Sequence, residues 1–114
     1  MTTLIETLER IQELDPKLVR IVGNMYGTIY LFDGVPSDNR HEFREAMLDW
    51  LVVQGWNVEI KFRTRWRRVV LSNGEGAFYE FSWNSWDELG QCESELHALA
   101  LCVLRVLEAR REEA

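Results

Sequence analysis

The chain has 114 residues, 46% of them hydrophobic, and 13 basic against 19 acidic side chains give a formal charge of −6. That length holds one domain with a core of its own, which needs no metal or disulfide staple to fold. With few Gly and Pro and an ordinary apolar fraction, collagen-like, coiled-coil and disordered classes are excluded. The N-terminus mixes charges into its apolar residues and does not read as a signal peptide. The longest apolar run, Ala98 to Leu104, is too short for a membrane span. Two cysteines, Cys92 and Cys102, make a poor disulfide framework and suit reduced thiols in a cytoplasmic protein.

The first predicted element is a helix over residues 2–14. Leu4, Ile5, Leu8 and Ile11 recur at three-and-four spacing, and Glu6, Glu9, Arg10 and Glu13 lie opposite. Thr2 or Thr3 can cap it, with Glu6 completing a capping box for Thr3, and Asp15-Pro16 ends it. Lys17 to Val22 and Thr28 to Phe32 are rich in β-branched and aromatic residues and predict a hairpin around GNMYG. Residues 16–22 also admit a short helix capped by Asp15 and stopped by Gly23; the hairpin is the preferred reading.

Asp33-Gly34-Val35-Pro36 reads as a connector. A second helix is expected from Ser37 or Asp38 to about Gln54, with Phe43, Ala46, Met47, Trp50 and Leu51 as its apolar stripe and Gly55 as its left-handed stop. Trp56, Val58, Ile60 and Phe62 then alternate with Asn57, Glu59, Lys61 and Arg63, as in a strand with one buried face. Trp66 to Ser72 and Ala77 to Trp83 are the next strands, joined by Asn73-Gly74-Glu75-Gly76. In the last of them Phe78 and Glu80 face one way, Tyr79, Phe81 and Trp83 the other. Residues 84–93 read as a polar loop. A closing helix spans Ser94 to Ala109 with Leu96, Leu99, Ala100, Val103, Leu104 and Leu107 inward. The expected fold is α+β: one antiparallel sheet, made of the hairpin and a three-stranded meander, packed by three helices in the order α-β-β-α-β-β-β-α.

The sharpest local feature is basic. Residues 56–71 hold five bases (Lys61, Arg63, Arg65, Arg67, Arg68) and one acid, a local +4 that leaves −10 for the rest of the chain. With Trp66 among them, these side chains are the candidate binding set. They suit single-stranded nucleic acid through phosphate contacts and base stacking, or an acidic protein partner. The plainer alternative is a solvent face neutralised by the chain's own acids. Trp83 and Trp86 flank the loop FSWNSWDELG and join the candidate set as aromatics at a loop mouth, with capping of the sheet end as the preferred explanation. Trp50 and Trp56 read as core.

Signals for chemistry are thin. His41 and His97 each fall in a predicted helix. Cys92 and His97 are five apart but lack the second pair a zinc site requires, and no Ser or Cys nucleophile has both a base and an orienting group marked by spacing. The glycines of NGEG mark a turn and lack the lysine of a phosphate loop. No catalytic set, metal or cofactor is expected.

PSDNRHEFREAMLDWLVVQGW and ESELHALALCVLRVLEA together resemble the phage ABA-sandwich domain: a proline-serine entry, an amphipathic helix with a glycine exit, and an acid-capped alanine-leucine helix with an internal cysteine. The resemblance spans about residues 35–108. It implies a phage or prophage origin and a helix-sheet fold, and it assigns no activity. The basic strand KFRTRWRRVV and the N-terminal hairpin fall outside it.

These features together lead to the expectation of a non-catalytic protein that acts by binding a macromolecule, with no membrane. The partner is another protein or a second copy of the chain in a homodimer; nucleic acid at residues 61–68 is the second reading. An inhibitor or immunity-type protein covering a basic enzyme would use Glu6, Glu9, Glu13 and Asp15.

Overall fold

The computed structural model describes residues 3–64, 66–83 and 92–113. Arg65, Trp86 and most of the expected polar loop lie outside them. The first helix, α1 (Leu4–Leu14), is capped by Thr3, whose hydroxyl accepts the Glu6 N–H at 3.1 Å and donates to the Glu6 carboxylate at 3.2 Å. That is the capping box expected from the sequence. Asp15 ends the helix by folding back: its Oδ1 accepts the N–H groups of Lys17 and Leu18, each at 3.2 Å.

The next residues form strands, as the hairpin reading expected. β1 (Val19–Asn24) pairs antiparallel with β2 (Gly27–Phe32) in the register Val19↔Phe32 to Asn24↔Gly27. Only Met25 and Tyr26 remain as the turn, because Gly27 takes φ 132° at the exit. The expected connector contains a short third strand, β3 (Val35–Pro36), paired with Leu31 and Phe32. Proline is tolerated there because β3 is an edge, where no neighbour needs its missing N–H.

The second helix, α2 (Arg40–Val53), starts later than expected. Ser37 continues the sheet edge instead of capping: its N–H donates to Tyr30 O at 2.8 Å and its hydroxyl accepts the Tyr30 N–H at 3.1 Å. Asn39 is the cap, accepting the Glu42 N–H at 3.2 Å. At the other end Gly55 (φ 90°) closes a Schellman motif, with Gly55 N–H to Val52 O and Trp56 N–H to Leu51 O.

A meander of β4 (Asn57–Phe62), β5 (Arg67–Ser72) and β6 (Phe78–Trp83) follows, and α3 (Glu95–Glu113) completes the chain. The order is α-β-β-β-α-β-β-β-α, an α+β fold. The hairpin and meander do not share a sheet. They form two three-stranded antiparallel sheets, β1-β2-β3 and β4-β5-β6. Alternation along a strand specifies which face is buried, and it is silent on lateral neighbours.

The core lies around α3, which packs on α1 and α2 and on the inner face of β5 and β6. Leu96, Leu99, Ala100, Val103 and Leu107 are buried as expected, but so are His97, Ala98, Cys102 and Val106, while Leu104 is half-buried. A helix covered on both sides buries most of its circumference, so a single stripe understates it. Val69, Leu71, Phe81 and Trp83 supply the sheet side, and Phe43, Met47 and Leu51 supply α2. Trp50 meets Phe32 edge-on at 6.3 Å, and Trp56 lies 6.1 Å from Tyr79, which places both against the core as expected. Among the described residues no helix is long and apolar enough to cross a membrane.

Candidate functional site

Strand pairing decides what the basic segment can do. Lys61 pairs with Arg68, and Arg68 with Ser82; one step along, Phe62 pairs with Arg67, and Arg67 with Trp83. Successive side chains point to opposite faces. The bases that look like one cluster in sequence are therefore divided between the two faces of the β4-β5-β6 sheet.

On the outer face, away from the helices, the charges are largely met. Lys61 lies 3.7 Å from Glu59, and Arg68 lies 3.4 Å from Glu80. The Arg68 guanidinium sits 4.1 Å from the centre of the Trp66 ring and donates through Nε to Ser82 Oγ at 3.4 Å. Arg63 approaches the same ring at 5.7 Å, and its guanidinium donates to Phe62 O at 3.1 Å. Trp66 is thus a platform for its own arginines, in cation–π geometry.

On the inner face, Arg67 stands 5.8 Å over the Phe62 ring, and Phe62 meets Trp83 edge-on at 6.3 Å. Phe62 was expected to be buried; it is 56% exposed, because the end of β4 forms the floor of an open pocket. Trp83 is 4% exposed and belongs to the core cluster, in keeping with the expected cap on the sheet end and not with a binding aromatic at a loop mouth.

That pocket, about 380 Å³, is completed by residues the strand motif does not contain: Arg40, His41 and Arg44 from the start of α2, and Ser94, Glu95 and Leu96 from the start of α3. Arg40 and Arg44 are four apart and share one edge of the helix. Arg44 is engaged, bonded to Glu95 through Nε and paired with Glu45 at 2.8 Å. The Glu95 hydrogen bond raises the Arg44 pKa against the opposing effect of burial. Arg40, Arg63 and Arg67 have no carboxylate partner among the described residues. A sequence signal for Arg40 does exist. A cation in the first turn of a helix opposes the macrodipole, and such local conflicts mark sites kept for function.

The opposite side of α2 is acidic. A groove of about 640 Å³ is lined by Asp33, Glu42, Glu45 and Asp49 around Trp50, Val35, Ala46 and Val53, with His41 shared between groove and pocket. Its carboxylates do not converge; among the described residues no group of three or more His, Cys, Asp or Glu could hold a metal ion.

The other candidates are otherwise engaged. His97 Nδ1 accepts the Glu93 N–H, so it is not turned to Cys92. Burial lowers the His97 pKa and pushes the Cys92 thiol up to about 11, leaving no thiolate near neutral pH. On α1, Glu6 serves the cap, Glu13 pairs with Arg10 at 2.8 Å, and Asp15 holds the turn. Only Glu9 of that acidic set carries no structural duty among the described residues.

No family model, no curated protein and no solved structure matches this chain.

Proposed function

We propose that the chain is a protein-binding module that holds an acidic segment of a partner protein at the basic pocket between the start of α2 and the β4–β5 hairpin. The observation that carries this reading is the position of Arg40 and Arg67 on one open cavity, both lacking a carboxylate partner among the described residues. Two unmatched guanidiniums beside two helix N-termini favour an anion, and a guanidinium fork matches a carboxylate in two parallel hydrogen bonds. Exposed pairs of this type are worth about 0–1 kcal/mol each, so the charge provides orientation and encounter rate more than affinity.

Single-stranded nucleic acid is less well served. Base stacking requires open ring faces, whereas Trp66 is covered by Arg68 and Arg63 and Trp83 is buried. Lys61 and Arg68 already have carboxylates at hand, and those same acids would repel a phosphate backbone. Titration of the protein with an acidic peptide and with a single-stranded oligonucleotide, at low and high salt, separates the two. Salt-sensitive binding of the peptide that is lost in Arg40→Glu and Arg67→Glu is expected. Tighter binding of the oligonucleotide, weakened equally by Arg68→Ala, would replace the proposal with the nucleic-acid reading.

A further inference from the structure

We infer that the segment held in this pocket inserts an aromatic side chain flanked by carboxylates, so that a ring and a charge are recognised together; the inference rests on the partner-binding reading above. The pocket has two chemical layers. Its floor is apolar: the exposed Phe62 meets the buried Trp83 with their planes at 85°, and Leu96 of α3 also lines it. Rings favour edge-to-face packing, and the exposed Phe62, backed by the buried Trp83, is the surface a guest ring meets. Its rim carries Arg40 and Arg67, unpaired among the described residues, beside the mutually neutralised Arg44 and Glu95. The Arg67 guanidinium lies 5.8 Å from the centre of the Phe62 ring, which places a cation next to the apolar surface and suits a carboxylate beside an aromatic group.

Size narrows the occupant further. About 380 Å³ is near the lower end of the roughly 300–1,000 Å³ found for ligand pockets. That accommodates one large side chain. The partner therefore presents an extended or looped acidic segment with one aromatic anchor, the residue class that dominates buried contacts at interfaces.

A random-peptide display selection on the full chain tests this, followed by calorimetry on the synthetic peptides it yields. The expected peptides carry Phe, Tyr or Trp next to Asp or Glu. Replacing that aromatic residue by Ala should weaken binding by about tenfold or more, a loss of the order of one well-packed anchor. Phe62→Ala should produce a similar loss for the aromatic peptide and little change for its Ala version. Selected peptides that are acidic but indifferent to loss of the ring would overturn the anchor and leave the acidic-partner reading standing. Peptides without acidic enrichment, or no binders at all, would overturn both. A thermal melt checks that Phe62→Ala is folded; if it is not, the peptide-side Ala substitution and Arg67→Glu decide the matter.

Discussion

His97 Nδ1 accepts the backbone N–H of Glu93 at 3.0 Å, while its Nε2 is buried with no hydrogen-bond partner among the described residues. A neutral imidazole that accepts at Nδ1 carries its proton at Nε2, so the ring holds the entry to α3 while its buried donor meets no acceptor among the described residues. That entry is a junction: the Glu93 carboxylate accepts the Leu4 N–H at 3.2 Å, and the Cys92 N–H donates to Ser82 O at 2.9 Å. Protonation would turn Nδ1 into a second donor and break the link to Glu93.

Stability should therefore fall on the acid side of neutrality. Burial lowers the folded-state pKa of His97, against smaller opposing pulls from Glu93 and Glu6. The unfolded chain then binds more protons than the folded one at any pH between the lowered value and about 6.5. His97 stabilises the fold fully above about pH 6.5 and loses that contribution as the pH drops through this window. Urea unfolding across the window should give a positive slope of stability with pH. His97→Leu should flatten it.

The two thiols should be silent in the native protein. Cys92 and Cys102 are buried and unbridged, and burial raises both thiol pKa values, that of Cys92 to about 11. Thiolate is the reactive form, so thiol reagents at neutral pH should label neither residue until denaturant is added. Fast labelling of Cys92 in native buffer would show that the 92–94 junction opens readily.

Neighbouring arginines should behave differently. Arg68→Ala removes a guanidinium from the Trp66 face and from Glu80, and should reduce stability by about 0.5–1 kcal/mol with little effect on acidic-peptide binding. Arg67→Ala should do the reverse, weakening the peptide while the melting curve stays close to wild type. Chemical denaturation and peptide titration of both variants provide the comparison.

The core prediction concerns α3. Leu99 is fully buried where α3 meets its neighbours, and Leu99→Ala should cost about 2–5 kcal/mol through lost burial and the cavity left behind. Leu104, half-buried on the same helix, should cost clearly less. Equal losses at the two positions, measured by urea unfolding, would contradict the placement of α3 at the centre of the core.

Much of this fold is legible in the sequence because its signals are local. Thr3 with Glu6, the α2 stripe from Phe43 to Leu51, Gly55 and the Asn73-Gly74 turn each depend on residues within a few positions of one another. The separation into two sheets is not legible, since nothing in β1 or β6 names a lateral partner. β3 escapes notice because two residues show no periodicity. For the site, period two already places Arg67 and Arg68 on opposite faces. Which face α3 covers, and that Arg40 arrives there from a distant helix, follow only from tertiary packing. Arg65 and Trp86, read as part of the binding set, lie outside the described residues.

The central claim is that Arg40 and Arg67 form the anion-binding pole and that the outer-face bases do not. Backbone and side-chain NMR shifts of the labelled protein, titrated with an acidic peptide at low salt, test it most directly. The expected shifts concentrate on Arg40, His41, Phe62 and Arg67 and disappear in Arg67→Glu. Shifts centred on Lys61, Trp66 and Arg68, or spread over α1, would contradict the account.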